Sequence, residues 1–75
     1  MKNDPPIQRH AVSSTNVKSA GYDPASKTLS VEFHSGGIYN YHNVSTSQAL
    51  QFAQAKSKGS FIEQIKKSHL FTRIK

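Results

Sequence analysis

The charged and aromatic residues of this chain are few enough to test one by one for chemistry. The sharpest cluster is Lys56-Ser57-Lys58-Gly59-Ser60. Ser60 and Glu63 have the spacing of a capping box, so a helix is predicted to start at Ser60. Unpaired N–H groups at a helix start, with two ammonium groups just ahead, are the chemistry of a phosphate site. The other reading is a helix–helix corner with solvated lysines. Lys66, Lys67, Arg73 and Lys75 extend the positive surface. Tyr22, Tyr39 and Tyr41 carry flat rings that can stack on bases. The competing reading buries these rings with their hydroxyls bonded. Tyr41, toward the open end of a hairpin, is then the ring expected to show an edge. The predicted nucleic-acid contacts are Lys56, Lys58, Gly59, Ser60, Lys66, Lys67, Arg73 and Tyr41.

Other chemistries find no support in the spacing. His10, His34, His42 and His69 make no HxxxH pair, and there is no cysteine, so neither a metal site nor a disulfide is expected. The carboxylates are Asp4, Asp23, Glu32 and Glu63. Asp23 suits a turn, Glu63 a helix cap, and Glu32 a solvent-facing strand position. No serine sits in a nucleophile elbow. A non-catalytic chain without a cofactor is predicted.

The frame that must position these groups is residues 28–42, TLSVEFHSGGIYNYH. Leu29, Val31 and Phe33 alternate with Ser30, Glu32 and His34, and Tyr39 and Tyr41 alternate after a glycine pair. Period-two alternation broken by Gly-Gly predicts a β-hairpin with one buried face. A two-residue loop would mix apolar and polar side chains on both faces. A three-residue loop, Ser35-Gly36-Gly37, pairs Phe33 with Tyr39 and Val31 with Tyr41, and all five apolar residues share a face. That register gives Gly37 the positive φ of a G1 bulge and leaves Ile38 facing solvent.

Residues 17–22 precede this hairpin as a short, glycine-containing strand, read as an edge. Asp23-Pro24 opens a type I turn, and a four-residue loop over 24–27 pairs Asp23 with Thr28. Tyr22 then faces Leu29 and Ala20 faces Val31. Two loops read independently thus select one apolar face. After the hairpin, Ser45-Thr46-Ser47-Gln48 is a capping box, with Val44 placed to staple onto Ala49. A helix is predicted over 46–56, with Ala49, Leu50, Phe52 and Ala53 inside an arc of ~160°. Lys56 and Lys58 suit its negative end, and Gly59 is its C-cap. The second helix runs to residue 68 or 69, with Phe61, Ile62 and Ile65 inward and Glu63 pairing with Lys67. Residues 70–75 read as a short extended segment. Residues 1–11, with Pro5-Pro6 and no period, read as a flexible leader, which leaves residues 12–75 as the domain. The predicted class is α+β: a three-stranded antiparallel meander with two short C-terminal helices on one face, β-β-β-α-α.

Seventy-five residues make one small domain. No stretch approaches the ~20 apolar residues of a membrane span. The N-terminus lacks the apolar run of a signal peptide, so a cytoplasmic protein is expected. The net charge of +6 favours RNA or another polyanion as partner. An acidic protein surface is the alternative. A homodimer through an exposed edge or the uncovered sheet face is a third, the chain being otherwise a monomer or weak dimer.

The motifs in their order resemble the KTSC domain, a small module named from the C-termini of some lysyl-tRNA synthetases. It also occurs alone in small bacterial and phage proteins. The matching residues are Ser13-Ser14 with Val17, Gly21-Tyr22-Asp23-Pro24, Leu29-x-Val31-x-Phe33, the Gly36-Gly37 turn, and Tyr39-x-Tyr41. Asn43-Val44, Ala55-x-Ser57-Lys58-Gly59 with Phe61, and Ile65-Lys66 continue the match. It spans residues 12–74. The chain departs from the pattern at Ser45, where the family often has proline, and at His69 and Phe71, where its tail usually has tyrosines. The resemblance implies an α+β module and RNA binding, with no established activity.

Overall fold

Turn chemistry and helix capping set where the elements begin and end. A computed structural model of the chain describes residues 7–75. In order they are β1 (His10–Ala11), β2 (Val17–Asp23), β3 (Thr28–Phe33), β4 (Ile38–Tyr41), α1 (Thr46–Gln54), α2 (Lys58–Ser68) and β5 (Phe71–Arg73). The strands form one sheet in the order β1-β2-β3-β4-β5, antiparallel throughout.

The class is α+β as predicted, but the sheet has five strands, not three. His10 and Ala11 pair with Ala20 and Ser19. Phe71 and Arg73 pair with Tyr41 and Tyr39. The helices therefore lie between β4 and β5 in the chain, not at its C-terminal end. Hydrogen bonding is the reason. A three-strand meander leaves backbone groups of β2 and β4 unpaired along its edges, and short extended neighbours pair them. β2 is thus interior rather than an edge. Its Gly21 serves close packing, because a Cβ there would collide with the Gln8 carbonyl. The region read as a leader contributes His10 and Ala11 to the sheet. Residues 1–6 lie outside the described residues.

The β2–β3 turn forms as its residues dictate. Asp23 pairs with Thr28, Tyr22 with Leu29 and Ala20 with Val31, and Asp23 Oδ1 accepts from the Ala25 N–H at 3.1 Å. The β3–β4 turn corrects the predicted register. Leu29 faces Tyr41 and Val31 faces Tyr39, a slip of two residues. The loop is still three residues with a G1 bulge, but it is His34-Ser35-Gly36. The Gly36 N–H donates to the Phe33 carbonyl and the Phe33 N–H to the Gly37 carbonyl, both at 2.9 Å. Gly36, not Gly37, takes the positive φ, at 104°. A slip of two leaves every side chain on its face, so alternation cannot select between the registers. The type I turn selects, because it favours glycine at its fourth position.

β2 carries a bulge at Lys18, since Val17 pairs with Phe33 while Ser19 pairs with Glu32. Unbroken alternation from Tyr22 and Ala20 would aim Lys18 at the core. The bulge re-aims the chain, so Lys18 is exposed and Val17 is fully buried.

Ser45 and Gln48 form the expected reciprocal capping box. The Gln48 N–H donates to Ser45 Oγ at 3.1 Å and the Ser45 N–H to Gln48 Oε1 at 3.0 Å. α2 starts earlier than predicted. Its N-cap is Ser57, whose Oγ accepts from the Ser60 N–H at 3.3 Å. Gly59 therefore lies in the first turn of α2 instead of capping α1. That early start brings Gly59 against Asn16, where a Cβ would strike the Asn16 side chain. Glu63 pairs with Lys66 at 3.3 Å, not with Lys67.

The core lies where the two hairpins placed it. Val17, Leu29, Val31 and Tyr41 from the sheet meet Val44, Phe52, Ile62 and Ile65. Leu50 and Ala53 are exposed despite their place on the predicted arc. α1 leans on α2 through an edge contact of Phe52 on Phe61, at 5.8 Å between ring centres, so its buried stripe is narrower. Ile38 is buried rather than solvent-facing, because the added strand reaches it: the Ile74 N–H donates to the Ile38 carbonyl at 2.7 Å. On that far face Arg9 Nη1 also donates to Ser30 Oγ at 2.9 Å.

Two substitutions test this packing by urea denaturation. Phe52→Ala removes a fully enclosed ring and is expected to cost about 3–5 kcal/mol, with Phe33→Ala costing less because that ring is only partly buried. Gly36→Val is expected to destabilise through backbone strain alone, since nothing lies within 4 Å of the added Cβ.

Candidate nucleic-acid interface

The start of α2 and the chain leading into β2 together make a cleft of about 440 Å³. Its walls are residues 13–15 on one side and residues 56–59 on the other. Lys56 is exposed there, and the hydroxyls of Ser13, Thr15 and Ser57 join it. The N–H groups of Lys58 and Gly59, at the first two positions of α2, have no intrahelical acceptor. No carboxylate lines this cleft. Ser14 holds the opposite wall in shape. Its Oγ accepts from the N–H groups of Asn16 at 3.2 Å and Val17 at 3.1 Å, and its carbonyl accepts from His34 Nε2 at 3.0 Å in the matching tautomer.

Lys58 lines the cleft, but its ammonium is partly committed elsewhere. It donates to the carbonyls of Ala53 at 3.3 Å and Ala55 at 3.0 Å, at the negative end of α1. It also lies 5.9 Å from the centre of the Phe52 ring. A second cleft, of about 450 Å³, adjoins the first through Thr15 and Gly59 and runs past Phe33, His34 and Glu63.

The family model of the KTSC domain matches residues 13–69. The chain belongs to the KTSC domain family. A crystal structure of a KTSC domain protein from Yersinia pestis superposes with a TM-score of 0.86 at 37% identity, covering 93% of this chain and 100% of that one. An uncharacterised protein of Stutzerimonas stutzeri is 36% identical over 59 residues, which is 79% of this chain and 83% of its own. A lysine–tRNA ligase of Nostoc sp. is 35% identical over 48 residues, 64% of this chain but 9% of the enzyme.

Within this KTSC domain the predicted contact residues do not form one surface. Lys56, Lys58 and Gly59 share the cleft. Ser60 is not part of its lining, and its hydroxyl accepts from Ser57 Oγ at 3.0 Å. Lys66 and Lys67 sit in the last turn of α2, about 12 Å along the helix axis from Lys58. Arg73 is on β5, its guanidinium 5.5 Å from the centre of the Tyr39 ring. Tyr41 is only 3% exposed and belongs to the core, so it presents no edge to a base. Tyr22 is held by its hydroxyl, which donates to the Val44 carbonyl. Tyr41 follows the core reading in its burial and Tyr22 in its bonded hydroxyl, while Tyr39 is half-buried beside Phe33 and Phe71.

Sequence reasoning missed the wall formed by residues 13–15. The run Ser13-Ser14-Thr15-Asn16 reads as a polar turn, and nothing local says that a helix start from the far end of the chain will meet it. Two further histidines are tied into the fold. His42 Nε2 bonds Thr72 Oγ1 at 2.8 Å, and His69 Nδ1 bonds the His42 carbonyl at 3.0 Å.

Tyr41 supplies a pH test of the core. Burial, then the neighbouring Tyr39 and Glu63, push its phenol from 10.0 up to about 12. Between those values the unfolded chain releases a proton that the fold retains, so stability falls as pH rises. Thermal melts from pH 10 to 12 should show that decline, and Tyr41→Phe should flatten it relative to its own value at pH 8.

Proposed function

We propose that this KTSC domain is a non-catalytic nucleic-acid-binding module, with RNA the favoured partner, and that a backbone phosphate sits in the cleft at the start of α2. The observation that carries the reading is the composition of that cleft. It joins Lys56, the partly committed Lys58, the hydroxyls of Ser13 and Thr15 and the unpaired N–H groups of a helix start, with no carboxylate in its walls. Anions bind where helix N–H groups and cations converge. A net charge of +6 adds long-range attraction. The similarity to a segment of a lysine–tRNA ligase favours RNA among the polyanions. Lys66, Lys67 and Arg73 contribute at most to the field around the site, because they lie at the other end of α2 and on β5.

The test is fluorescence anisotropy with a labelled, mixed-sequence single-stranded RNA at several salt concentrations. Affinity should fall steeply with salt. Lys56→Glu should weaken binding to all sequences alike and lower the salt slope by about one. Lys56 is the clean site, since Lys58 also holds the end of α1. Lys67→Glu should matter less. Affinity that ignores both salt and Lys56→Glu would remove this reading.

A further inference from the structure

Three of the exposed large apolar side chains fall within five residues of the chain, Leu70 and Ile74 on one face of the sheet and Phe71 on the other, against Tyr39 and Tyr41. Leu70 is 82% exposed, Phe71 49% and Ile74 56%. They bracket β5, the last strand of the sheet, and no strand among the described residues pairs with its outer side. The bonds on its inner side show which backbone groups remain. The Leu70 carbonyl accepts from the His42 N–H at 2.8 Å, and the Ile74 N–H donates to the Ile38 carbonyl at 2.7 Å. Backbone groups alternate sides along a strand, so those of Leu70, Thr72 and Ile74 face β4. The N–H and C=O of Phe71 and Arg73 then point outward.

We propose that β5 pairs with β5 of a second copy of this chain, antiparallel about a two-fold axis at Thr72, so that two sheets become one. A two-fold interface must complement itself, and the order Leu70-Phe71-Thr72-Arg73-Ile74 does. Phe71 and Arg73 of the second copy exchange both backbone hydrogen bonds through their outward groups. The same pair sets an aromatic ring opposite a guanidinium. Leu70 comes opposite Ile74, so on the far face these two exposed apolar groups cover one another. Thr72 meets its own copy on the axis. Each Arg73 already lies over Tyr39, and each Phe71 already touches the Tyr39 and Tyr41 rings at 5.7 Å. In the pair, every arginine therefore sits between its own Tyr39 and the other copy's Phe71. The charge of +6 on each chain opposes association at low salt and is screened at high salt. The dimer tightens as salt rises, opposite to a phosphate contact.

Cross-linking tests the register. The chain has no cysteine, so Thr72→Cys places one thiol on the axis. Directly opposed, non-hydrogen-bonded strand positions have Cβ atoms about 4.5–5.5 Å apart, near the reach of a disulfide. Leu50→Cys, another exposed apolar site, is the control. Under mild oxidation Thr72→Cys should dimerise about tenfold faster or more than the control. Sedimentation of the unaltered chain should show mass rising above 8.3 kDa with concentration up to about 1 mM, where weak contacts populate, and rising further with salt. Arg73→Glu should lower the dimer fraction, while Phe71→Glu, which faces Arg73, should preserve it. Equal cross-linking rates at the two positions, or a monomer at every salt concentration, would overturn the proposal. So would an edge that binds an extended acidic peptide but never its own copy.

Discussion

Burial of Ile62 and Ile65 against Val17, Leu29, Val31 and Tyr41 is the contact from which the rest of the architecture follows. Two isoleucines three apart on one helix fix both its rotation and its direction across the sheet. With them seated, the start of α2 must arrive beside residues 13–16, and its end must release the chain alongside β4. The first consequence makes the cleft. The second makes β5. One piece of apolar packing therefore creates both the cleft and the outer edge of the sheet. Gly59 permits the approach, since a Cβ there would have to displace the Asn16 side chain.

The cations show how a domain of this size uses charge twice. Lys58 neutralises the carbonyl end of α1 and lies near Phe52. Lys66 pairs with Glu63. Arg73 covers Tyr39, and its Nε donates to the Lys75 carbonyl at 2.9 Å. Such contacts are individually weak at a surface. Their effect is to hold long side chains in place, so that the positive field has a shape. Lys56 is the cation of the cleft with no contact of this kind among the described residues, and the proposed phosphate site rests on it.

Membership of the KTSC family fits this picture of a self-contained unit. The chain has the fold of the Yersinia pestis domain and is similar in sequence to a segment amounting to 9% of a lysine–tRNA ligase. Such a unit carries its own core. Here the sheet that carries it ends at both edges in strands of only two and three residues.

Much of this was legible in the chain itself. Alternation in residues 28–42, the Asp23-Pro24 turn and the Ser45–Gln48 capping box act over a few residues. They specified the central strands, the β2–β3 register, the buried face and the start of α1 without reference to anything distant. Tertiary structure alone decided what depends on partners far along the chain. The slip of two in the β3–β4 hairpin left the side-chain pattern unchanged and was settled by backbone bonds around Gly36. The bulge at Lys18 appeared because a lysine stood at a core position and the helices had to be packed over Val17. The choice of Ser57 over Ser60 as the cap of α2 came with the seat for Gly59 on Asn16, and the outer strands came from sheet edges needing partners. The local signals concern a residue and its near neighbours. The cleft and the free edge are made by segments far apart in the chain that the core holds together.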